Sequence, residues 1–206
     1  MKKLLVMTAA AMMAASGYAQ TKGNVEFGFN VGYNSSTITS NDFWGTPDYN
    51  QSFNIGASAD YYFSDRWSVK AKLIYDRKGW DNGGILVGGD LWEKTDYNLD
   101  YITIPVTANW HFGSSRNWYL HFGPYIGFLM SANDTEFDTD VKEGFNTFDA
   151  GIALGIGVKI PLNDKLKLFF ELDGQGGMSD IVKDNEGDRV TNSRSSINVG
   201  LNFLLQ

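Results

Sequence analysis

The sequence predicts an all-β chain closed as an eight-stranded antiparallel up-and-down transmembrane β-barrel. Three observations carry this prediction. Apolar residues recur at every second position in eight runs, the connections between runs alternate short with long, and the polar side of the runs is rich in glycine, asparagine, serine, threonine and tyrosine.

The opening residues stand apart from this pattern. MKKLLVMTAAAMMAASGYAQ pairs two lysines with an apolar run from Leu4 to Ala15 and small residues at Gly17 and Ala19, so residues 1–19 read as a signal peptide cut after Ala19. Residues 20–206 form the predicted barrel domain. Without Lys2 and Lys3, 15 basic residues face 24 acidic ones, a net charge of −9, which argues against a nucleic-acid partner because phosphate binding needs concentrated lysine and arginine. The absence of cysteine excludes disulfides, thiol catalysis and cysteine-held metals.

The first run places Val25, Phe27, Phe29, Val31 and Tyr33 on one side and Glu26, Gly28, Asn30 and Gly32 on the other. The second opposes Phe53, Ile55, Ala57, Ala59, Tyr61 and Phe63 to Ser52, Asn54, Gly56, Ser58, Asp60 and Tyr62. In the third, Trp67, Val69, Ala71, Leu73 and Tyr75 oppose Ser68, Lys70, Lys72 and Asp76, with Ile74 on the polar side. The fourth and fifth form a hairpin around GSSRN. Ile102, Ile104, Val106, Ala108, Trp110 and Phe112 lead into it, and Trp118, Leu120, Phe122, Ile126, Phe128 and Met130 lead out. The sixth carries apolar residues at alternate positions from Phe148 to Ile160, the seventh from Leu166 to Leu172, and the eighth from Ile197 to Leu205. With Phe112 opposite Trp118, Pro105 faces Tyr125 and Pro124 faces Val106, which puts two residues without ladder donors at one height.

Residues 64–66, 113–117 and 162–165 form short connections, and residues 34–51, 79–99, 132–147 and 179–194 long ones. A meandering membrane barrel shows this asymmetry, with its turns in the periplasm and its loops outside. Both termini then fall on the turn side. Composition decides which face meets oil. A solvated face is usually dense in lysine and glutamate, whereas this polar face carries small groups and scattered charges suited to a crowded interior. Phe63, Trp67, Trp110, Phe112 and Trp118 flank the short turns on the apolar side and predict an aromatic girdle at the periplasmic interface. Tyr33, Tyr75 and Phe148 mark the opposite one.

YITIPV, YLHFGPYIGFLM, FDAGIALGIGVKI and INVGLNFLL together resemble the outer-membrane beta-barrel domain family of Bacteroidetes, grouped with porin-like and PorT-like proteins. The resemblance spans essentially the whole chain after residue 19. It implies a cell outer-membrane location, contact with outer-membrane lipid and assembly by the outer-membrane insertion machinery, whose usual signal ends on an aromatic residue. Here Phe203 stands three positions before the end.

The interior candidates are Glu26, Asp60, Lys70, Lys72, Lys159, Lys167, Glu171 and Asp173, of mixed sign and expected to pair across a narrow barrel, together with His111 and His121. The histidines read as a hydrogen-bonded interior cluster, since a metal site would want a third ligand that the local sequence does not offer. No serine sits in a nucleophile motif, so neither an enzyme nor a cofactor is expected. The long loops hold fifteen acidic residues against five basic, matching no calcium-loop spacing, together with Trp44, Trp80 and Trp92 as apolar surface for anchoring a partner or resting at the lipid boundary. These features predict a largely plugged barrel with a structural or surface-interaction role, meeting lipopolysaccharide or a surface protein through its loops. A narrow porin-like channel is the alternative, for which glycines 28, 32, 56, 123, 127, 151, 155, 157 and 200 leave room.

Overall fold

The computed structural model describes residues 22–40, 47–87 and 91–205. The predicted signal peptide and the loop residues Asp42, Trp44 and Asp90 lie outside them, as does the side chain of Trp92. Eight strands follow in order: β1 (Val25–Thr39), β2 (Asn50–Tyr62), β3 (Trp67–Val87), β4 (Leu91–Phe112), β5 (Trp118–Asp134), β6 (Phe148–Pro161), β7 (Leu166–Gly177) and β8 (Thr191–Leu205). Each pairs antiparallel with the next, and β8 returns to β1 in a ladder running from Val25↔Leu205 to Thr39↔Thr191. Closure leaves no unpaired edge in the ring, which is what a sheet surrounded by hydrocarbon requires.

The alternation orients every strand with its apolar side outward. Phe29, Tyr33, Leu154, Met130 and Ile197 are all more than half exposed, while Glu26, Asp60, Lys159 and Glu171 are buried. Along β1 and β8 the outward pairs are Phe27↔Phe203, Phe29↔Leu201, Val31↔Val199 and Tyr33↔Ile197, and then abruptly Ser35↔Ser195, Thr37↔Ser193 and Thr39↔Thr191. From Val25 to Tyr33 the apolar stretch measures about 27 Å along the strand. At the turn end, Trp67 pairs with Trp110 and Phe112 with Trp118, with ring centroids of Trp110 and Phe112 5.3 Å apart. Phe63, Trp67, Trp110 and Trp118 are exposed and Phe112 half-buried, which makes one aromatic band on the outer wall.

The short turns have local causes. Ser64 Oγ accepts from the Trp67 amide, Asn163 Oδ1 accepts from the amides of Lys165 and Leu166, and Gly113 takes the left-handed conformation at φ 83°. The predicted long loop 79–99 is a correction. Its two arms continue β3 to Val87 and β4 from Leu91 as a hairpin standing beyond the ring, with a register shift between Trp80 and Gly83 where Asn82 adopts φ 57°. Glycines 88 and 89 between the apolar residues of ILV and LW were the available hairpin signal. A bulge in β5 also shifts the inward set from Leu129 to Ala132 and Asp134, so strict alternation ends there.

The two prolines share the predicted height, and the register Pro105↔Tyr125 is observed. The β4–β5 ladder passes from Pro105↔Tyr125 to Ala108↔Phe122, and the β3–β4 ladder from Ala71↔Val106 to Ile74↔Thr103. Register therefore survives while pairing lapses. Gly123 lets the two backbones approach here, since a Cβ at that position would strike the Val106 carbonyl.

Above the polar interior, at the long-loop end, lies an apolar core of Ile38, Trp80, Tyr97, Leu99, Tyr101, Leu129, Ala132, Ile181 and Val190. Val141, Phe145 and Val182 from the connections pack over it. Trp80, expected as anchor surface for a partner, is 2% exposed and stacks on Tyr97 at 4.6 Å. It points inward because the hairpin carries the strand alternation past the end of the ring.

Candidate functional site

The inward side chains of the strands build three tiers of charge. Nearest the short turns, Lys159 Nζ of β6 donates to Glu26 Oε2 (2.6 Å), Asp60 Oδ2 (2.9 Å) and the Tyr62 hydroxyl (2.6 Å). Lys167 takes the other oxygen of Glu26, and Asn202 and Asn109 add amide donors to Glu26 and Asp60. His111 stays within this tier, its Nε2 3.0 Å from Ser68 Oγ and its ring 5.0 Å from that of Tyr62.

In the middle tier Glu171 of β7 receives Lys72, Lys70 (3.4 Å) and the Tyr119 hydroxyl (2.6 Å). Asp173 receives Arg194 Nη2 at 2.6 Å. In the upper tier Lys78 reaches Asp149 (3.0 Å), and Asp76 is held by Asn34 (3.0 Å) and Arg194 Nε (3.3 Å). An amide ladder fills the β1 side, with Asn30 donating to Asn54 and Asn198, and Asn54 to Asn34.

Topology gives these contacts their meaning. In a ring of eight, strands four apart stand opposite each other, so Lys72 on β3 with Glu171 on β7, and Lys159 on β6 with Asp60 on β2, are braces across the full diameter. Among the described residues the three tiers hold six buried carboxylates (Glu26, Asp60, Asp76, Asp149, Glu171, Asp173) and six buried cations (Lys70, Lys72, Lys78, Lys159, Lys167, Arg194). Breaking any buried pair from one side strands a charge, at a cost of about 3–5 kcal/mol.

All ten predicted interior residues are buried inside the ring. Sequence reading missed Asp76, Lys78, Asp149 and Arg194 as members of the network. The first two lie on the polar parity of β3 and were legible there, whereas Arg194 fell in a stretch read as loop. The two histidines do not meet as one cluster. His111 sits opposite Tyr119 and His121 opposite Asn109, and His121 instead faces Glu171 and Asp173 on β7, with Nε2 3.8 and 3.7 Å from their oxygens. Register explains the reach. His121 pairs with Gly155 and Gly155 with Asp173, while Tyr119 pairs with Gly157 and Gly157 with Glu171. A Cβ at Gly155 or Gly157 would collide with the His121 or Tyr119 ring lying across it. The room expected at several interior glycines is thus filled by neighbours: Asn202 and Ser58 over Gly28, Asn198 and Asn54 over Gly32, and Phe169 over Gly200.

Beyond the apolar band, the loop after β5 is organised by Asp134. Burial works against its ionisation, but it accepts from the amides of Phe137 (2.7 Å) and Thr139 (2.9 Å) and from the Thr95 hydroxyl (3.2 Å). These donors hold its carboxyl below the usual aspartate range. A value lowered by folding means the contribution is complete above the unfolded value of about 3.9 and fades as pH falls through the folded one. Hydrogen exchange at the Phe137 and Thr139 amides, corrected for intrinsic rate, should be flat from neutral pH to about 4 and rise below it. Asp134→Ala should accelerate it by roughly tenfold or more at neutral pH. Unchanged protection in the variant would remove Asp134 as the organiser of this loop.

Residues 18–183 match the family model described as outer membrane protein beta-barrel domain. Among solved structures, the outer membrane protein OprG from Pseudomonas aeruginosa is similar over 91% of this chain and 98% of its own, with TM-score 0.60 and 13% identity, a likeness of fold. A major outer membrane protein from Thermus thermophilus (12% identity, 87% of this chain and 99% of its own) gives a TM-score of 0.49. Neisserial surface protein A, at 16% identity over 86% of this chain and 96% of its own, gives 0.48. No curated protein sequence matches the chain.

Proposed function

Because the chain belongs to the outer membrane protein beta-barrel domain family, we propose that it is a plugged outer-membrane barrel whose role is structural or surface-interacting rather than enzymatic. The observation that supports this reading is the charge-balanced network braced across the diameter in three tiers and overlain by the apolar core around Trp80 and Tyr97. Ion passage through it would require at least one buried pair to open at each tier. The short turns and both termini are periplasmic in this reading. The Trp67, Trp110 and Trp118 band rests at the inner interface, and the acidic loops face outward to lipopolysaccharide or a surface protein. The four sequence segments that resemble the Bacteroidetes porin-like and PorT-like members support placement in that branch.

The experiment is conductance of the purified protein in a planar lipid bilayer. The expected result is a folded, heat-modifiable protein that stays silent. Reproducible current steps whose ion selectivity changes in a Lys70→Glu, Lys72→Glu double variant would establish a porin-like channel and overturn the plugged reading.

A further inference from the structure

We propose that the interior carries a binding site for one divalent transition-metal ion of the zinc class, held by His121, Glu171 and Asp173. Each offers a ligand atom, and the three atoms lie within 4.8 Å of one another. All three side chains are more than nine-tenths buried, at 3%, 2% and 8% exposure. His121 Nε2 has no hydrogen-bond partner among the described residues, although it points between two carboxylates. A buried imidazole nitrogen left in this state is costly unless something occupies the gap.

The distances suit an ion. Bonds of ~2.0–2.2 Å in a tetrahedral shell set neighbouring ligand atoms about 3.3–3.4 Å apart. Here Nε2 stands 3.8 Å from Glu171 Oε2 and 3.7 Å from Asp173 Oδ2, so these two edges need to contract by only a few tenths of an ångström, and the three ligand atoms already lie within 4.8 Å of one another. Each carboxylate already divides its labour. Asp173 gives Oδ1 to Arg194 and turns Oδ2 to the histidine, while Glu171 gives Oε1 to Lys72 and presents Oε2, which also accepts from Tyr119 and Lys70. These partners orient the ligands as outer-shell groups do in metal sites. The lysines and Arg194 also make the surroundings poor for an ion held by charge alone. The site therefore discriminates in favour of ions that bond strongly to imidazole and against calcium and magnesium. The ligands that the sequence around His121 does not offer come from β7 as Glu171 and Asp173, brought within reach across the bare Gly155 and Gly157, and His111 takes no part. The bound ion would tie β5 to β7 over β6. This inference stands whether or not the interior conducts.

The test uses the untagged full chain in detergent micelles, titrated separately with Zn²⁺, Co²⁺, Cu²⁺ and Ca²⁺. The expected result is one equivalent of Zn²⁺ or Co²⁺ bound saturably, a raised heat-modification temperature, and no response to Ca²⁺. His121→Asn should weaken Zn²⁺ binding by more than about a hundredfold, beyond the loss typical of an outer-shell partner, while His111→Asn should leave it intact. With only two histidines in the chain, electron spin echoes from Cu²⁺ on the unmutated protein report ligation by a single imidazole, so the proposal stays testable if His121→Asn fails to fold. Absence of saturable Zn²⁺ binding, absence of the imidazole signal, binding unchanged in His121→Asn or equal affinity for Ca²⁺ would each overturn it.

Discussion

Phe29→Arg is expected to destabilise the lipid-embedded barrel by about 2–4 kcal/mol, and Tyr33→Arg by about 0–1 kcal/mol. Both side chains project from β1 and are about 60% exposed, and they differ in depth. Phe29 pairs with Leu201 midway along the apolar band, whereas Tyr33 pairs with Ile197 at its last rung, one step from Ser35 and Ser195. If lipid surrounds the outer face, the penalty must follow depth, because arginine at the centre draws its charge into hydrocarbon and arginine at the rim reaches water. Reversible urea unfolding in lipid vesicles measures it. Equal, small penalties at both positions would mean that the outward face is not buried in a membrane.

Lys159→Met is expected to cost about 3–5 kcal/mol, seen as loss of the heat-modifiable species and a lowered unfolding midpoint. Lys159 is wholly buried, and its ammonium is shared by Glu26, Asp60 and Tyr62. Methionine fills the volume but leaves two buried carboxylates facing each other, Glu26 still paired with Lys167 and Asp60 without its Lys159 ion pair. The double variant Asp60→Asn, Lys159→Met removes one carboxylate together with its cation, leaves Glu26 paired with Lys167, and should recover most of the loss. If the double variant is as damaged as the single one, packing rather than charge compensation dominates this tier.

Much of the molecule was legible in period two alone. The eight runs, their sidedness, the hairpin register from Phe112↔Trp118 to Pro105↔Tyr125 and the aromatic band at the short turns follow from residue order, because a strand exposes alternate residues to opposite faces. Legibility ended where the period breaks. The bulge in β5 and the shift between Trp80 and Gly83 hid the end of β5 and the β3–β4 hairpin, while Trp80 lies just before that shift, on the parity that points Lys78 inward, and stacks in the interior. Arg194 escaped for another reason: β8 pairs without a break from Thr191 to Leu205, but Ser193 and Ser195 on its outward side give no apolar signal.

The sequence by itself determined that the sheet is amphipathic, which side is oily and that the interior carries both signs of charge. Only the tertiary structure decided which charges meet. Lys72 and Glu171 are 99 residues apart and Lys159 and Asp60 are also 99 apart, and nothing local to either residue names its partner. Ring closure does so by placing β3 opposite β7 and β2 opposite β6. The same closure sets His121 against Glu171 and Asp173. Reach across a neighbouring strand depends on a glycine in register between them, and register between distant strands is a property of the closed sheet.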